Sequence, residues 1–229
     1  AKELGVRLVV CIDEFQQIGE FPDSLSIQKR LRGVWQHHQN VSYCFFGSKK
    51  HLMENIFQSR RMPFYQFGEM LHLKCIPTEY WVPFICSRFE KFGKKISEEY
   101  ACRICQEVRN YSSYVQQLAW NVMAETENEV DEESFTEGLK ALLEQNSSLF
   151  IQQTEGLTTY QLNFIRLLCK DIHTGFTTKA VSEIYPLGSK SNVDRIKKCL
   201  IEKEIITIEK DGVSLADSVF ELWFKREMM

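Results

Sequence analysis

The chain has 229 residues, 44% of them hydrophobic and 26% charged, which is the composition of a folded globular protein with one large or two small domains. Its net charge of -3 excludes a global basic field, so any contact with DNA has to come from a local patch. No apolar run approaches the ~18 residues of a membrane span and none has the form of a signal peptide, so the expected location is the cytoplasm, with no membrane partner.

In chain order, the first element is a strand over Val6 to Ile12, and two acids, Asp13 and Glu14, follow it at once. Helical spacing of Leu25, Leu31, Val34 and Trp35 predicts a helix, and Val41 to Phe46 predicts a second buried strand. Lys49 to Phe57 reads as a short helix and Glu69 to Leu73 as a third strand. Strand, helix, strand, helix, strand implies a parallel sheet with crossover helices.

From Thr78 the pattern turns all-helical. Trp81, Phe84, Ile85, Phe89 and Phe92 fall at three- and four-residue steps. Ser97 is an expected N-cap for the next helix, and Ser112 or Ser113 for the one after. The run Glu125 to Glu137 holds seven carboxylates and reads as a solvated connection or an acid-rich first turn, without chemistry of its own. A helix over Phe135 to Phe150 follows.

Beyond Gly156 come three helices, capped at Thr158, at Thr177 or Thr178, and at Ser189 or Ser191. Two β-prone runs then flank Lys210-Asp211-Gly212, a hairpin signal. Three helices and a hairpin predict a winged helix-turn-helix, closed by an amphipathic segment through Phe224.

The eight cysteines are scattered through strand-like and helix-like runs, so reduced, buried thiols are expected rather than a disulfide framework. Cys102-x-x-Cys105 lacks a second pair at zinc-site spacing and lies in a helix. His37-His38 sits at a helix end, where a dipole contact is the plainer reading than a metal site.

An apolar strand ending in Asp-Glu, here Leu8-Val9-Val10-Cys11-Ile12-Asp13-Glu14, resembles the Walker B motif of P-loop ATPases. Phe45-Phe46-Gly47-Ser48, Arg60-Arg61-Met62-Pro63-Phe64-Tyr65, Tyr114-Val115-Gln116-Gln117-Leu118-Ala119 and Asp217-Ser218-Val219-Phe220-Glu221-Leu222-Trp223 follow in the order of the archaeal-type ATPases of the AAA+/STAND group. That resemblance implies three parts: the C-terminal half of a P-loop core over 1–76, a helical lid over 77–155 and a winged helix over 156–229. It implies ATP and Mg²⁺ as ligands, with Asp13 holding Mg²⁺ through its water shell, Glu14 polarising the hydrolytic water and Ser48 reporting on the γ-phosphate as sensor 1. Arg60 or Arg61 would serve as the arginine finger.

The departures are equally specific. Gln66-Phe67 stands where many relatives have Gly-Arg, and Ser113 and Ser218 stand where relatives have Pro. No Gly-x-x-x-x-Gly-Lys followed by Ser or Thr occurs; before Gly93-Lys94, Arg88 holds the first glycine's place. With Ala1 rather than Met at the start, the chain reads as the C-terminal portion of a longer ATPase, inactive without its phosphate loop.

Two other readings stand beside a nucleotide-dependent switch. One is a DNA-binding regulator whose third winged-helix helix carries Lys190, Arg195, Lys197 and Lys198, with Lys210 on the wing. The other is a degenerate ATPase that serves as a scaffold for a protein partner or for self-association.

Overall fold

Leu8–Ile12, rich in branched side chains, forms strand β1, and Val41–Phe45 forms β2. They run parallel in the register Leu8 to Val41 through Ile12 to Phe45. Parallel neighbours need a crossover, and helix α1, Ser24–Trp35, supplies it after a 3-10 turn over Phe15–Glu20. Helix α2, Lys50–Gln58, follows β2. These elements belong to the first of two compact units, and the chain passes from one to the other between Leu73 and Lys74. The computed structural model describes residues 5–209 and 212–229.

The core of the first unit is aromatic. Phe15, Ile18, Ile56, Phe57 and Phe64 are buried, with Ile12, Trp35 and Phe45 packed against them. The Phe15 and Phe45 rings lie 4.2 Å apart, and Trp35 stacks on Tyr43 at 4.7 Å. This cluster covers one face of the strand pair. Alternation sends Val9, Cys11, Ser42 and Cys44 to the opposite face, where all four are exposed, Val9 to 69%. The expected burial of both strands, and of Cys11 and Cys44 with them, is thus not met. Parallel strands are normally covered on both faces; here one face is bare.

The third strand expected over Glu69 to Leu73 does not form. The segment has strand-like alternation, but no described strand runs beside it, and Leu71 and Leu73 are 78% and 95% exposed. A strand exists through its ladder, and propensity alone does not hold one.

The second unit is built from α3 (Thr78–Lys91), α4 (Glu98–Glu107), α5 (Ser112–Glu125), α6 (Glu132–Glu155), α7 (Thr159–Leu168), α8 (Lys179–Ile184) and α9 (Lys190–Glu202). The hairpin β3 (Ile206–Glu209) and β4 (Gly212–Leu215) and helix α10 (Ser218–Met228) complete it. One continuous core runs from Trp81 to Phe224. The acidic run resolves as a helix start: Asp131 accepts from the Ser134 N–H at 2.9 Å, Ser134 closes the reciprocal bond, and Glu132 and Glu133 fill the first turn. At Gly138 a Cβ would lie 2.7 Å from the Val122 backbone, so glycine is what lets α6 approach α5.

Ser97, Thr158 and Ser189 cap their helices as expected. The α5 start differs: Tyr111 takes the cap position, its hydroxyl donating to the Ala216 carbonyl at 2.9 Å rather than capping the helix, and Ser112 and Ser113 are already helical. The strands β3 and β4 pair antiparallel, Ile206 with Leu215. Lys210 and Asp211 lie outside the described residues.

Helix α10 is tied back to α5 and to the loop that precedes it. Asp217 Oδ1 accepts from the Val219 and Phe220 N–H groups at 2.8 and 2.9 Å, while its Oδ2 accepts from the Tyr114 hydroxyl at 2.5 Å. The Ser218 hydroxyl donates to the Val108 carbonyl at 3.0 Å. Glu221, buried, sits between Arg109 at 2.5 Å and Lys225 at 2.7 Å.

Candidate functional site

Strand β1 ends at Ile12, and its ladder continues one step: the Phe46 N–H donates to the Ile12 carbonyl and the Phe15 N–H to the Phe46 carbonyl, each at 2.9 Å. The chain between these bonds has to turn. Glu14 does so in the left-handed region, φ 48° and ψ 40°, unusual for a residue with a long side chain. Its N–H donates to Asp13 Oδ1 at 2.8 Å. Asp13 is exposed and Glu14 half-buried, so both carboxylates stand at the C-terminal rim of the parallel pair.

Ser48 follows β2 and reaches the same rim. Its hydroxyl donates to Glu14 Oε2 at 3.3 Å. The same oxygen accepts from Gln16 Nε2. Gln16 is 1% exposed, and among the described residues its Oε1 has no hydrogen-bond partner. At Gly47 a Cβ would collide with that Oε1 and lie 2.7 Å from Met53 Cγ. The structure thus brings Asp13, Glu14 and Ser48 together and adds Gln16, which sequence reasoning passed over.

Arg60 and Arg61 are both exposed, in the turn that follows α2. That loop is shaped by another residue absent from the sequence reading: Arg32 on α1 donates through Nη1 to the Pro63 carbonyl and, at 2.8 Å, to the Tyr65 carbonyl. Gln66, which stands in the place of the relatives' glycine, has φ 52°.

The four basic residues of α9 differ among themselves. Lys190, Arg195 and Lys198 are exposed, and Arg195 is hydrogen-bonded to Asn192 Oδ1 at 2.8 Å. The Lys197 ammonium lies 4.8 Å from the Phe176 ring centroid and is half-buried. Lys210, the wing residue, is outside the described residues.

All eight cysteines are free. Cys105 and Cys169 are buried, and burial pushes their thiols up to about 11 and about 12. His38 Nδ1 lies 2.6 Å from the Tyr43 hydroxyl. Among the described residues no group of three or more His, Cys, Asp or Glu is placed to hold a metal. The hard oxygens of Asp13, Glu14 and Ser48 suit Mg²⁺, which binds through one or two carboxylates, waters and substrate phosphates rather than a full protein cage. No lysine-bearing phosphate loop accompanies them in the sequence. No described helix is long and apolar enough to cross a membrane.

No protein-family model matches the sequence. No curated protein matches it. Solved structures do match its fold. The Walker-type ATPase PABY2304 of Pyrococcus abyssi superposes with a TM-score of 0.74 at 14% identity, over 98% of this chain and 64% of that one. The ORC2 protein of Aeropyrum pernix, solved as ADPNP–ADP complexes, gives 0.53 at 12% identity over 97% and 66%. The RuvB Holliday junction branch migration motor of Thermotoga maritima gives 0.50 at 13% over 95% and 68%. The chain therefore shares the fold of the P-loop ATPases, and it spans 64% of the length of the Pyrococcus protein.

Proposed function

We propose that this chain is the portion of an AAA+/STAND-type ATPase that carries Walker B and sensor 1, and that the complete site binds and hydrolyses ATP as a conformational switch. The observation that carries the reading is the Ser48 hydroxyl on the Glu14 carboxylate, beside Asp13, at the C-terminal ends of adjacent parallel strands. Ligands of open α/β sheets bind outside that end of the strands. The bare face, the single neighbour that β1 and β2 each have among the described residues and the exposed Leu71 and Leu73 support a sheet completed by residues outside this sequence, the phosphate loop among them.

Mg²⁺–ATP would supply the electrophilic phosphorus and the charge neutralisation that phosphoryl transfer needs. Asp13, exposed at the rim, would accept hydrogen bonds from the metal's water shell. Glu14 would orient the attacking water and accept its proton, and Ser48 would hold that carboxylate in place. Residues 77–155 form the lid in this reading, and residues 156–229 the winged helix. Arg60 and Arg61, both exposed, remain the arginine-finger candidates.

The test is Mg²⁺–ATP calorimetry on this chain, then hydrolysis after it is joined to the residues that carry its phosphate loop. The chain alone should bind more weakly than ~1 mM. The joined protein should hydrolyse ATP and lose that activity with Asp13→Asn. Tight binding by the chain alone, or turnover indifferent to Asp13→Asn, contradicts the reading.

A second reading, duplex DNA on α9, is favoured by the exposure of Lys190, Arg195 and Lys198. It predicts affinity that falls steeply between two salt concentrations. Asp194 and Glu202 on the same helix, and Lys197 turned to the Phe176 ring, weaken that surface.

A further inference from the structure

We propose that Gln16 is a positioning residue for Glu14: its side-chain amide fixes one carboxylate oxygen so that the other is left to receive the water's proton. The proposal rests on the ATPase reading above and assigns a role to a residue which that reading does not use.

Three observations carry it. Gln16 is 1% exposed, and burial of a primary amide is unfavourable unless its groups are bonded. Its Nε2 donates to Glu14 Oε2, while its Oε1 finds no partner among the described residues. Turning the amide over would set Oε1 against the carboxylate and lose the one bond, so Glu14 dictates its orientation. The end of β2 is shaped to admit the group, because any side chain at Gly47 would occupy the space of Oε1.

Gln28 shows what a packing glutamine does instead. Among the described residues its Oε1 is unpartnered like that of Gln16, and it is fully buried, but its Nε2 donates at 2.9 Å to Ser24 on its own helix, so the difference lies in the donor's partner. Gln16 spends its donor on the carboxylate at the rim. With the Ser48 hydroxyl on the same atom, Oε2 of Glu14 is held from two sides, and among the described residues no hydrogen bond reaches its Oε1. Glu14 needs such fixing: its left-handed backbone is held between Asp13 and the Phe15–Phe46 bond, and its long side chain would otherwise sample several rotamers.

Two measurements test this. In this chain, the Gln16 side-chain amide proton resonances should move upfield in Glu14→Ala, which removes the acceptor; unchanged resonances overturn the contact. In the protein joined to its phosphate loop, Gln16→Met keeps a similar volume without the N–H. It should lower kcat by about 10-fold with KM within about two-fold. Glu14→Gln calibrates the assay, and the double variant Glu14→Gln/Gln16→Met should be no slower than Glu14→Gln alone, because Gln16 acts through Glu14. A destabilising packing defect would slow the double variant further and overturn the proposal. Wild-type kcat for Gln16→Met with an inactive Glu14→Gln overturns it too and leaves the ATPase reading standing; full turnover by Glu14→Gln ends both.

Discussion

The Ser48 hydroxyl donates to Glu14 Oε2 across 34 residues of chain, and the bond joins the ends of two parallel strands. Local bonds with Asp13 and Gln16 hold Glu14, but they do not bring it to Ser48. Glu14 lies in a left-handed turn, and Ser48 lies between β2 and α2. The pairing of Ile12 with Phe45 brings them within reach. Ser48→Ala should therefore leave the fold intact and reduce ATP turnover of the joined protein by roughly 10-fold or more, measured as kcat in a coupled assay. Ser48→Thr, which keeps the hydroxyl, should retain most of the rate.

Gly47 makes a stability prediction with its own control. A methyl at Gly47 meets Gln16 Oε1 and Met53, so Gly47→Ala should destabilise the first unit by about 1–3 kcal/mol. Gly33 on α1 has nothing within 4 Å of the place a Cβ would take, so Gly33→Ala should instead stabilise by about 0.5–1 kcal/mol. Urea unfolding followed by the fluorescence of Trp35 reads both.

In the second unit, Tyr114 and Asp217, both half-buried, form a joint between α5 and the start of α10. Burial raises the Tyr114 pKa, and the Asp217 carboxylate adds to the rise. Tyr114→Phe deletes the donor and leaves Asp217 its two backbone partners, so the expected cost is about 1–3 kcal/mol in urea unfolding. A cost near zero would show that the bond adds nothing to the joint.

The buried thiols predict an alkaline limit. Burial raises Cys105 to about 11 and Cys169 to about 12 from an ordinary value of 9.0. A pKa raised on folding favours the protonated form. The stabilisation is full below the unfolded value and is lost as pH rises through the folded one. Stability of the second unit should decline from about pH 9 towards 12, the window set by those two values. At pH 8 a thiol reagent should modify the exposed Cys11, Cys44 and Cys75 rapidly, and Cys105 and Cys169 only on unfolding.

What the sequence discloses follows the range over which each feature is decided. The branched run of β1, the Val41-Ser42-Tyr43-Cys44-Phe45 run of β2 and the acids after Ile12 are local signals, and the structure keeps them. The helix caps at Ser97, Thr158 and Ser189 are equally local. Glu69 to Leu73 has the alternation of a strand, but a strand needs a neighbour, and that is a property of the assembly. Cys11 and Cys44 are apolar in sequence and exposed in space because they share the bare face. Gln16 and Arg32 were illegible for the same reason: a glutamine after Asp-Glu and an arginine in a helix acquire meaning only from Gly47 on one side and from the Pro63 and Tyr65 carbonyls on the other. Ser112 and Ser113 had the composition of a cap, yet the helix starts one residue earlier, at a tyrosine cap.

The most direct test of the Asp13–Glu14–Ser48 cluster is a paired measurement of ATP affinity and ATP turnover for Glu14→Gln, in the protein joined to its phosphate loop. A carboxylate that orients water without holding the nucleotide should leave the dissociation constant within about two-fold while turnover falls by about 100-fold or more. Turnover equal to the wild type would remove Glu14 from the chemistry and with it the assignment of this rim as the catalytic half of an ATPase site.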